Sequence, residues 1–303
     1  MKSILIIVNL NTNNSTNIVN KLLDSINDFE ENNYSIIKSK SIDDITKHYN
    51  LLKKTNGIFV IGGDGTISSL LQLLVENEIN VPIGCIPSGS GNGLIHSLSN
   101  ENRKIHGTKD IIKNILQMKE KKIDSMSVKF INNNNKFTSF LFLSYGMFSN
   151  IDVGTDYMRC LGNIRFTIGA IIELIYKKTF HGILEYYKFD RWIKVKGNFI
   201  YFMASNLSHT SENTITSPFS RSDDNLIYLC YIKENVSRYE LFNILNSWSD
   251  GSFLKYPSVK YLSTTEFKFY TNEGILDIDG EYFEAQPVHV KINPESIKTY
   301  NYS

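Results

Sequence analysis

Apolar positions in the first third of the chain fall into short runs separated by helical patterns. Residues 4–8, 34–37, 58–61 and 83–86 each read as a strand. Ile18, Leu22, Leu23 and Ile26 recur at helical spacing behind Ser15, which reads as a helix cap. Residues 42–52 read as a second helix capped by Ser41, and residues 66–75 as a third. Apolar strands alternating with helices predict an α/β domain built on a mostly parallel sheet covered on both faces.

After a helix around 108–118 the pattern changes. Runs of β character follow at 125–131, 137–143, 183–187, 199–204, 226–232, 267–270, 275–278 and 288–292, with turn residues between them. Helical segments near 165–178 and 238–245 interrupt them. The expected organisation is an α/β domain over 1–120 and a C-terminal antiparallel, β-rich domain over 121–303. A return of the last residues to the first domain is left open.

Two glycine-rich loops stand where a buried strand should end and a helix begin. Gly62-Gly63-Asp64-Gly65-Thr66 follows residues 57–61, and Ser88-Gly89-Ser90-Gly91-Asn92-Gly93 follows residues 82–87. Such places expose backbone N–H groups and the positive end of a helix dipole, which suits a phosphate. In parallel sheets, ligands bind at the carboxyl ends of the strands. Two loops in succession, one carrying a carboxylate, point to a nucleotide site with a base beside it.

Bulk properties narrow the class. The chain has 303 residues and a formal net charge of +1, from 32 basic and 31 acidic residues. No clustered basic face marks a nucleic-acid groove. Cys85, Cys160 and Cys230 show neither zinc nor disulfide spacing, so a reducing interior is expected. The apolar N-terminal run is too short for a signal peptide, and no run approaches a membrane span.

The two loops resemble those of the lipid kinase superfamily that includes diacylglycerol, ceramide and sphingosine kinases. Gly89-Ser90-Gly91-Asn92-Gly93, the segment from Tyr145 through Asp152 and Arg159 to Gly169, and Asp277-Ile278-Asp279-Gly280-Glu281 look closest to sphingosine kinases. The resemblance implies ATP with Mg²⁺ as phosphoryl donor and a sphingoid base as acceptor, with the acceptor's primary hydroxyl attacking. It implies a cleft between two domains, a cytoplasmic enzyme and transient peripheral contact with a membrane surface.

The resemblance also implies roles. Asp64 is the base or orienter for the hydroxyl. A carboxylate of ordinary pKa is a weak base for an alcohol, so late proton transfer or orientation is expected. Asn9, Asn11, Gly62, Gly63, Gly65, Thr66, Ser88, Gly89, Ser90, Gly91 and Asn92 form the nucleotide side, with Arg159 and Arg165 on the β- and γ-phosphates. Asp279 and Glu281, expected to alternate on one strand and share a face, suit a water-held Mg²⁺ or the nucleotide. Asp152 is the partner of a lipid amine. Phe148, Ile151, Phe166, Ala170, Ile171 and Leu174 are candidates for an apolar slot.

Two departures from the pattern stand out. The usual Asn-Pro and basic, glycine-rich stretch is replaced by Asn9-Leu10-Asn11-Thr12-Asn13-Asn14-Ser15, where Asn11, Thr12 and Ser15 are the available substitutes. The family serine before Asp152 aligns with Phe142. Ser144, facing the same side of a strand, is its expected replacement. Diacylglycerol kinase, NAD kinase and a non-catalytic lipid- or nucleotide-binding module remain alternatives. On a bland reading, Asp277, Asp279 and Glu281 are the wet face of an edge strand.

Overall fold

The computed structural model describes residues 2–12, 15–26, 32–89, 91–101, 107–162 and 164–302. The chain divides into two units, Met1–Asp124 with Pro294–Ser303, and Ser125–Asn293.

The first unit runs β1 (Lys2–Asn9), α1 (Ser15–Ile26), β2 (Asn32–Ser39), α2 (Ile42–Thr46), α3 (Tyr49–Lys54), β3 (Gly57–Gly62), α4 (Asp64–Glu76), β4 (Ile83–Pro87), α5 (Gly93–Glu101) and α6 (Thr108–Leu116). The strands lie parallel in the order β4-β3-β1-β2. Ile4–Val8 and Ile58–Ile61 are buried, as continuous apolar runs in a covered parallel sheet must be. The C-terminal segment closes this sheet, since Thr299 pairs in parallel with Ile83. Tyr302 Oη accepts the Cys85 N–H at 2.6 Å. Gly57 makes room for the Tyr300 ring: a Cβ there would lie 1.9 Å from the Tyr300 hydroxyl.

The single helix expected over 42–52 is two short ones, broken at Lys47 and His48. Ser41 is extended but makes no capping bond. The Asp44 carboxylate instead accepts from the Lys40 N–H at 3.0 Å and from Lys47 Nζ at 2.9 Å. Ser15 opens α1 as a buried residue, its hydroxyl donating to the Thr12 carbonyl at 3.2 Å. Helix α4 begins at Asp64, two residues earlier than expected.

The second unit takes in β5 (Glu120–Phe130) from Ser125 onward, β6 (Lys136–Ser139), β7 (Phe142–Gly146), α7 (Met147–Gly154), a 3₁₀ turn at Asp156–Leu161, α8 (Ile164–Tyr176), β8 (Phe180–Lys188) and β9 (Arg191–Ser205). It continues with β10 (His209–Ser211), β11 (Thr214–Ile215), β12 (Ile227–Lys233), α9 (Arg238–Asn246), β13 (Val259–Thr264), β14 (Glu266–Tyr270), β15 (Ile275–Ile278), β16 (Glu281–Glu284) and the first part of β17 (Val288–Tyr300). Antiparallel pairs set the order β16-β15-β7-β9-β8-β14-β17, and β12 joins β9 to β13. Aromatic rings fill the core, with Phe202 stacked on Phe269 at 4.4 Å between centroids.

Helix α7 has no forewarning in the periodicity. It starts at Met147, directly after Gly146, whose φ of +80° turns the chain out of β7. A Cβ there would also meet the Ile200 carbonyl oxygen at 2.4 Å. The strand expected over 137–143 is two, β6 and β7, parted at Phe140 and Leu141 by a buried carboxylate described below. Among the described residues, no helix is long and apolar enough to cross a membrane.

Candidate functional site

In the first unit, the loops after β1, β3 and β4 are tied together at the carboxyl ends of those strands. Asn9 Nδ2 donates to Thr66 Oγ1 at 2.8 Å, and Thr12 Oγ1 lies 3.0 Å from Ser88 Oγ. The Ser88 N–H donates to the Gly62 carbonyl at 3.0 Å. Asn92, at φ +55°, accepts from the Gly89 N–H and donates back to the Gly89 carbonyl. Several glycines are explained by these contacts themselves. Thr66 folds over Gly62, where a Cβ would lie 2.9 Å from its hydroxyl, and Gly63 meets Gly89.

Asp64 sits where the loops converge. It is the first residue of α4, yet its carboxylate reaches the start of α5, accepting from the Gly93 N–H at 2.8 Å and the Leu94 N–H at 3.2 Å. Burial pushes its carboxyl up to about 6, against the pull of those backbone donors. The expectation of an ordinary carboxylate is thereby corrected: removal from water makes Asp64 a stronger base than a solvated aspartate.

The substitutes in the loop after β1 are committed internally. Asn11 Nδ2 donates to the Lys40 carbonyl at 2.8 Å, its N–H donates to Asn9 Oδ1, and Ser15 is buried. Sequence reasoning passed over Lys21. With Asn17 and Ile18 of α1, it lines a cavity of about 230 Å³ beside Pro87, Ser88, Gly89 and Thr108. Its position on α1, one turn beyond Asn17, was the available signal. Ser90 lies outside the described residues, as does the side chain of Arg159.

In the second unit, Asp152 on α7 and Arg165 on α8 form an ion pair, Arg165 Nη2 to Asp152 Oδ1 at 3.2 Å. The Arg165 guanidinium also lies over the Phe166 ring, 4.3 Å from its centroid. Phe148 packs among Phe142, Tyr201 and Trp248, and Ile151 is buried, while Phe166 and Ala170 are half-buried. Ser144, the expected replacement for the family serine, lies on β7. It is fully buried, its hydroxyl 2.9 Å from Ser149 Oγ and 3.4 Å from Asp277 Oδ2.

Asp279 and Glu281 do not share a strand face. Asp279 and Gly280, both at positive φ, form the two-residue turn between β15 and β16, and Glu281 begins β16 as an exposed residue. Positive φ at both central positions is the type I′ signature for which Asp-Gly is suited. The Asp279 carboxylate, 2 % exposed, accepts from the N–H groups of Phe140, Leu141 and Phe142 at 2.8, 3.0 and 2.9 Å and from Ser139 Oγ at 2.8 Å. Those four donors occupy it and split β6 from β7. Asp277 is fully buried as well, so neither aspartate is on a wet face. The pair therefore does not fit a Mg²⁺ site. Among the described residues, no group of three or more acidic, His or Cys side chains is placed to hold a metal ion.

Comparison with known proteins adds to this geometry. Residues 3–128 match the diacylglycerol kinase catalytic domain family, and residues 144–301 match the YegS C-terminal NAD kinase beta sandwich-like domain family. Sphingosine kinase 1 of Arabidopsis thaliana is 24% identical over 299 residues, covering 82% of this chain and 61% of that protein. Sphingosine kinase 1 of Homo sapiens is 23% identical over 288 residues, covering 80% of this chain and 75% of that protein. The chain thus spans about three fifths of the length of its Arabidopsis relative. A crystal structure of a diacylglycerol kinase from Bacillus anthracis str. Sterne superposes with a TM-score of 0.70 at 17% identity, over 99% of this chain and 97% of that one.

Proposed function

Since this chain belongs to the lipid kinase superfamily, joining a diacylglycerol kinase catalytic domain to a YegS-type C-terminal domain, we propose that it transfers the γ-phosphate of ATP to the primary hydroxyl of a sphingoid base. The observation that carries this reading is Asp64. Its carboxylate stands where the glycine loops converge, held by two backbone N–H groups and pushed up to about 6.

A group of that pKa is matched to accepting an alcohol proton near neutrality. In the step, the lipid oxygen bonds to the γ-phosphorus, the bond from phosphorus to the bridging oxygen breaks, ADP leaves, and Asp64 takes the hydroxyl proton. Such transfer depends on positioning and charge neutralisation rather than on covalent chemistry by the protein. Lys21 and the first turn of α4 offer positive potential on the nucleotide side. The metal ion that accompanies ATP finds no carboxylate cage among the described residues.

The acceptor is assigned from Asp152 and from the character of α8. A carboxylate suits the amine of a sphingoid base, which neutral diacylglycerol lacks. Helix α8 is turned inside out: Ile171, Ile172 and Ile175 are 52, 40 and 60 % exposed, while its acid Glu173 is 5 % exposed. An outward apolar face of this kind supports contact with a lipid surface. The Asp152–Arg165 ion pair favours a second reading, a neutral lipid acceptor, because it offsets the charge that an amine would meet.

Transfer from γ-labelled ATP to sphingosine, diacylglycerol, ceramide and NAD, offered side by side to wild type and Asp64→Asn, tests the proposal. Labelled sphingosine that vanishes in the variant is the expected result. Label on diacylglycerol alone selects the second reading, label on NAD makes the chain an NAD kinase, and ATP binding without any label makes it a binding module.

A further inference from the structure

The cavity beside the second glycine loop is walled by two unlike sets of residues. Asn17, Ile18 and Lys21 come from α1 and Thr108 from α6, while Pro87, Ser88 and Gly89 come from the end of β4 and the loop after it. Every N–H and O–H proton of the second set is already placed. Proline has no N–H to give. The Ser88 N–H donates to the Gly62 carbonyl at 3.0 Å, and the Gly89 N–H to Asn92 Oδ1 at 3.2 Å. The Ser88 hydroxyl lies 3.0 Å from that of Thr12, and Thr12 Oγ1 donates to the Asn9 carbonyl at 3.1 Å. A hydroxyl has one proton to give. Ser88 is therefore the donor to Thr12, and its Oγ keeps only lone pairs for whatever enters the cavity. A wall of acceptors repels a phosphate and suits a ligand that brings its own O–H groups. The loop that lacks the usual basic residue thus acts at one remove, through Thr12 on Ser88.

Lys21 has the opposite chemistry. It is half-buried, and among the described residues no acid pairs with it. Asn17 and Lys21, four apart on α1, share a helix face. An ammonium offers three donors and no acceptor, so it takes an anionic oxygen. The cavity, about 230 Å³, is smaller than the ~300 Å³ at which pockets for whole small molecules begin. It therefore holds part of a nucleotide. A sugar hydroxyl next to a phosphate satisfies both sets of residues. An adenine ring brings an amine for Ser88 but no anion for Lys21.

We propose that this cavity holds the ribose of the donor nucleotide, with a sugar hydroxyl donating to Ser88 Oγ and the phosphate next to the sugar on Lys21 Nζ. Ser88 then selects ribonucleotides over deoxynucleotides, and Lys21 supplies the cation that the loop after β1 lacks. The inference rests on ATP as the donor in the proposed function.

The test is calorimetric binding of ATP, 2′-deoxy-ATP and 3′-deoxy-ATP to the full chain. Wild type is expected to bind ATP about 2- to 10-fold more tightly than one of the two analogues, the worth of one hydrogen bond. Ser88→Ala is expected to abolish that preference. Lys21→Met is expected to weaken AMP about tenfold, the lower end for a hydrogen bond to a charged group, and to leave adenosine unchanged. Wild type that binds ATP and both analogues equally overturns this inference alone, and that measurement needs no variant. A Ser88→Ala chain that keeps the preference overturns it too, as does a Lys21→Met chain that weakens AMP and adenosine alike. Wild type that binds no ATP overturns the donor reading, and this inference with it.

Discussion

Gly63 and Gly89 touch across the two glycine loops. A Cβ on Gly89 would lie 2.7 Å from Gly63 Cα, and one on Gly63 would lie 3.1 Å from Gly89 Cα. Both neighbours are backbone, which cannot swing aside. Gly89→Ala is therefore expected to force the loops apart at a cost of about 1–3 kcal/mol, the range for overpacking. Gly63→Ala is expected to cost less. Chemical denaturation of both variants checks the order, and equal stability of Gly89→Ala and wild type would contradict the contact.

Asp64 sets activity against stability. Its folded pKa, about 6, lies above the ordinary aspartate value of 3.8, so the native state holds its proton more tightly than the unfolded chain does. That contribution is fully present below about pH 4 and is lost as pH rises through about 6. Asp64→Asn removes the cost of ionisation. At pH 7.5 it is expected to be more stable than wild type by about 1–3 kcal/mol, with the difference closing as pH falls toward 4. The same variant is expected to lose about 10²- to 10⁴-fold in transfer rate, the usual contribution of a general base. Thermal unfolding across pH, beside a transfer assay, reads both effects.

Activity should follow the same group. Wild-type transfer at saturating lipid is expected to rise with pH through about 6, where Asp64 loses its proton, and then level. A rate that is flat from pH 5 to 8 would remove Asp64 from proton transfer and leave it as an orienting group.

Asp279→Ala is expected to act on the fold and not on the nucleotide. The substitution leaves the N–H groups of Phe140, Leu141 and Phe142 without their acceptor in a buried loop. Each such orphan costs about 1–3 kcal/mol, so a loss of at least ~3 kcal/mol is expected. A variant of unchanged stability with a raised KM for ATP would restore Asp279 to the nucleotide.

The outward face of α8 can be tested without touching the core. Ile171→Ser with Ile175→Ser alters two largely exposed positions, so stability is expected to move by less than about 0.5 kcal/mol for each. Sedimentation with lipid vesicles is expected to fall several-fold, at about 0.8 kcal/mol per buried CH₂ removed. Unchanged sedimentation would assign the face to another partner.

Much of this was written in local sequence. Period and run length gave a parallel α/β unit followed by antiparallel strands, because continuous apolar runs and turn-bounded alternation are properties of neighbours along the chain. The ordered motifs gave the lipid kinase superfamily, and the place of Asp64 after a buried strand gave its end of the sheet. What neighbours along the chain could not show was which atoms each polar group meets. Asp279 sits 137 residues from Phe142, and whether its carboxylate faces water, a metal or three backbone N–H groups is decided where β15 pairs with β7. The same pairing buries Ser144 and brings Asp277 beside it. The rise in the Asp64 pKa likewise needs the folded unit to exclude water, and it survives the opposing pull of the Gly93 and Leu94 N–H groups that α5 brings to the carboxylate. Periodicity fixes elements because it is local; burial and hydrogen-bond partnership belong to the tertiary structure, because they depend on what the rest of the chain brings near.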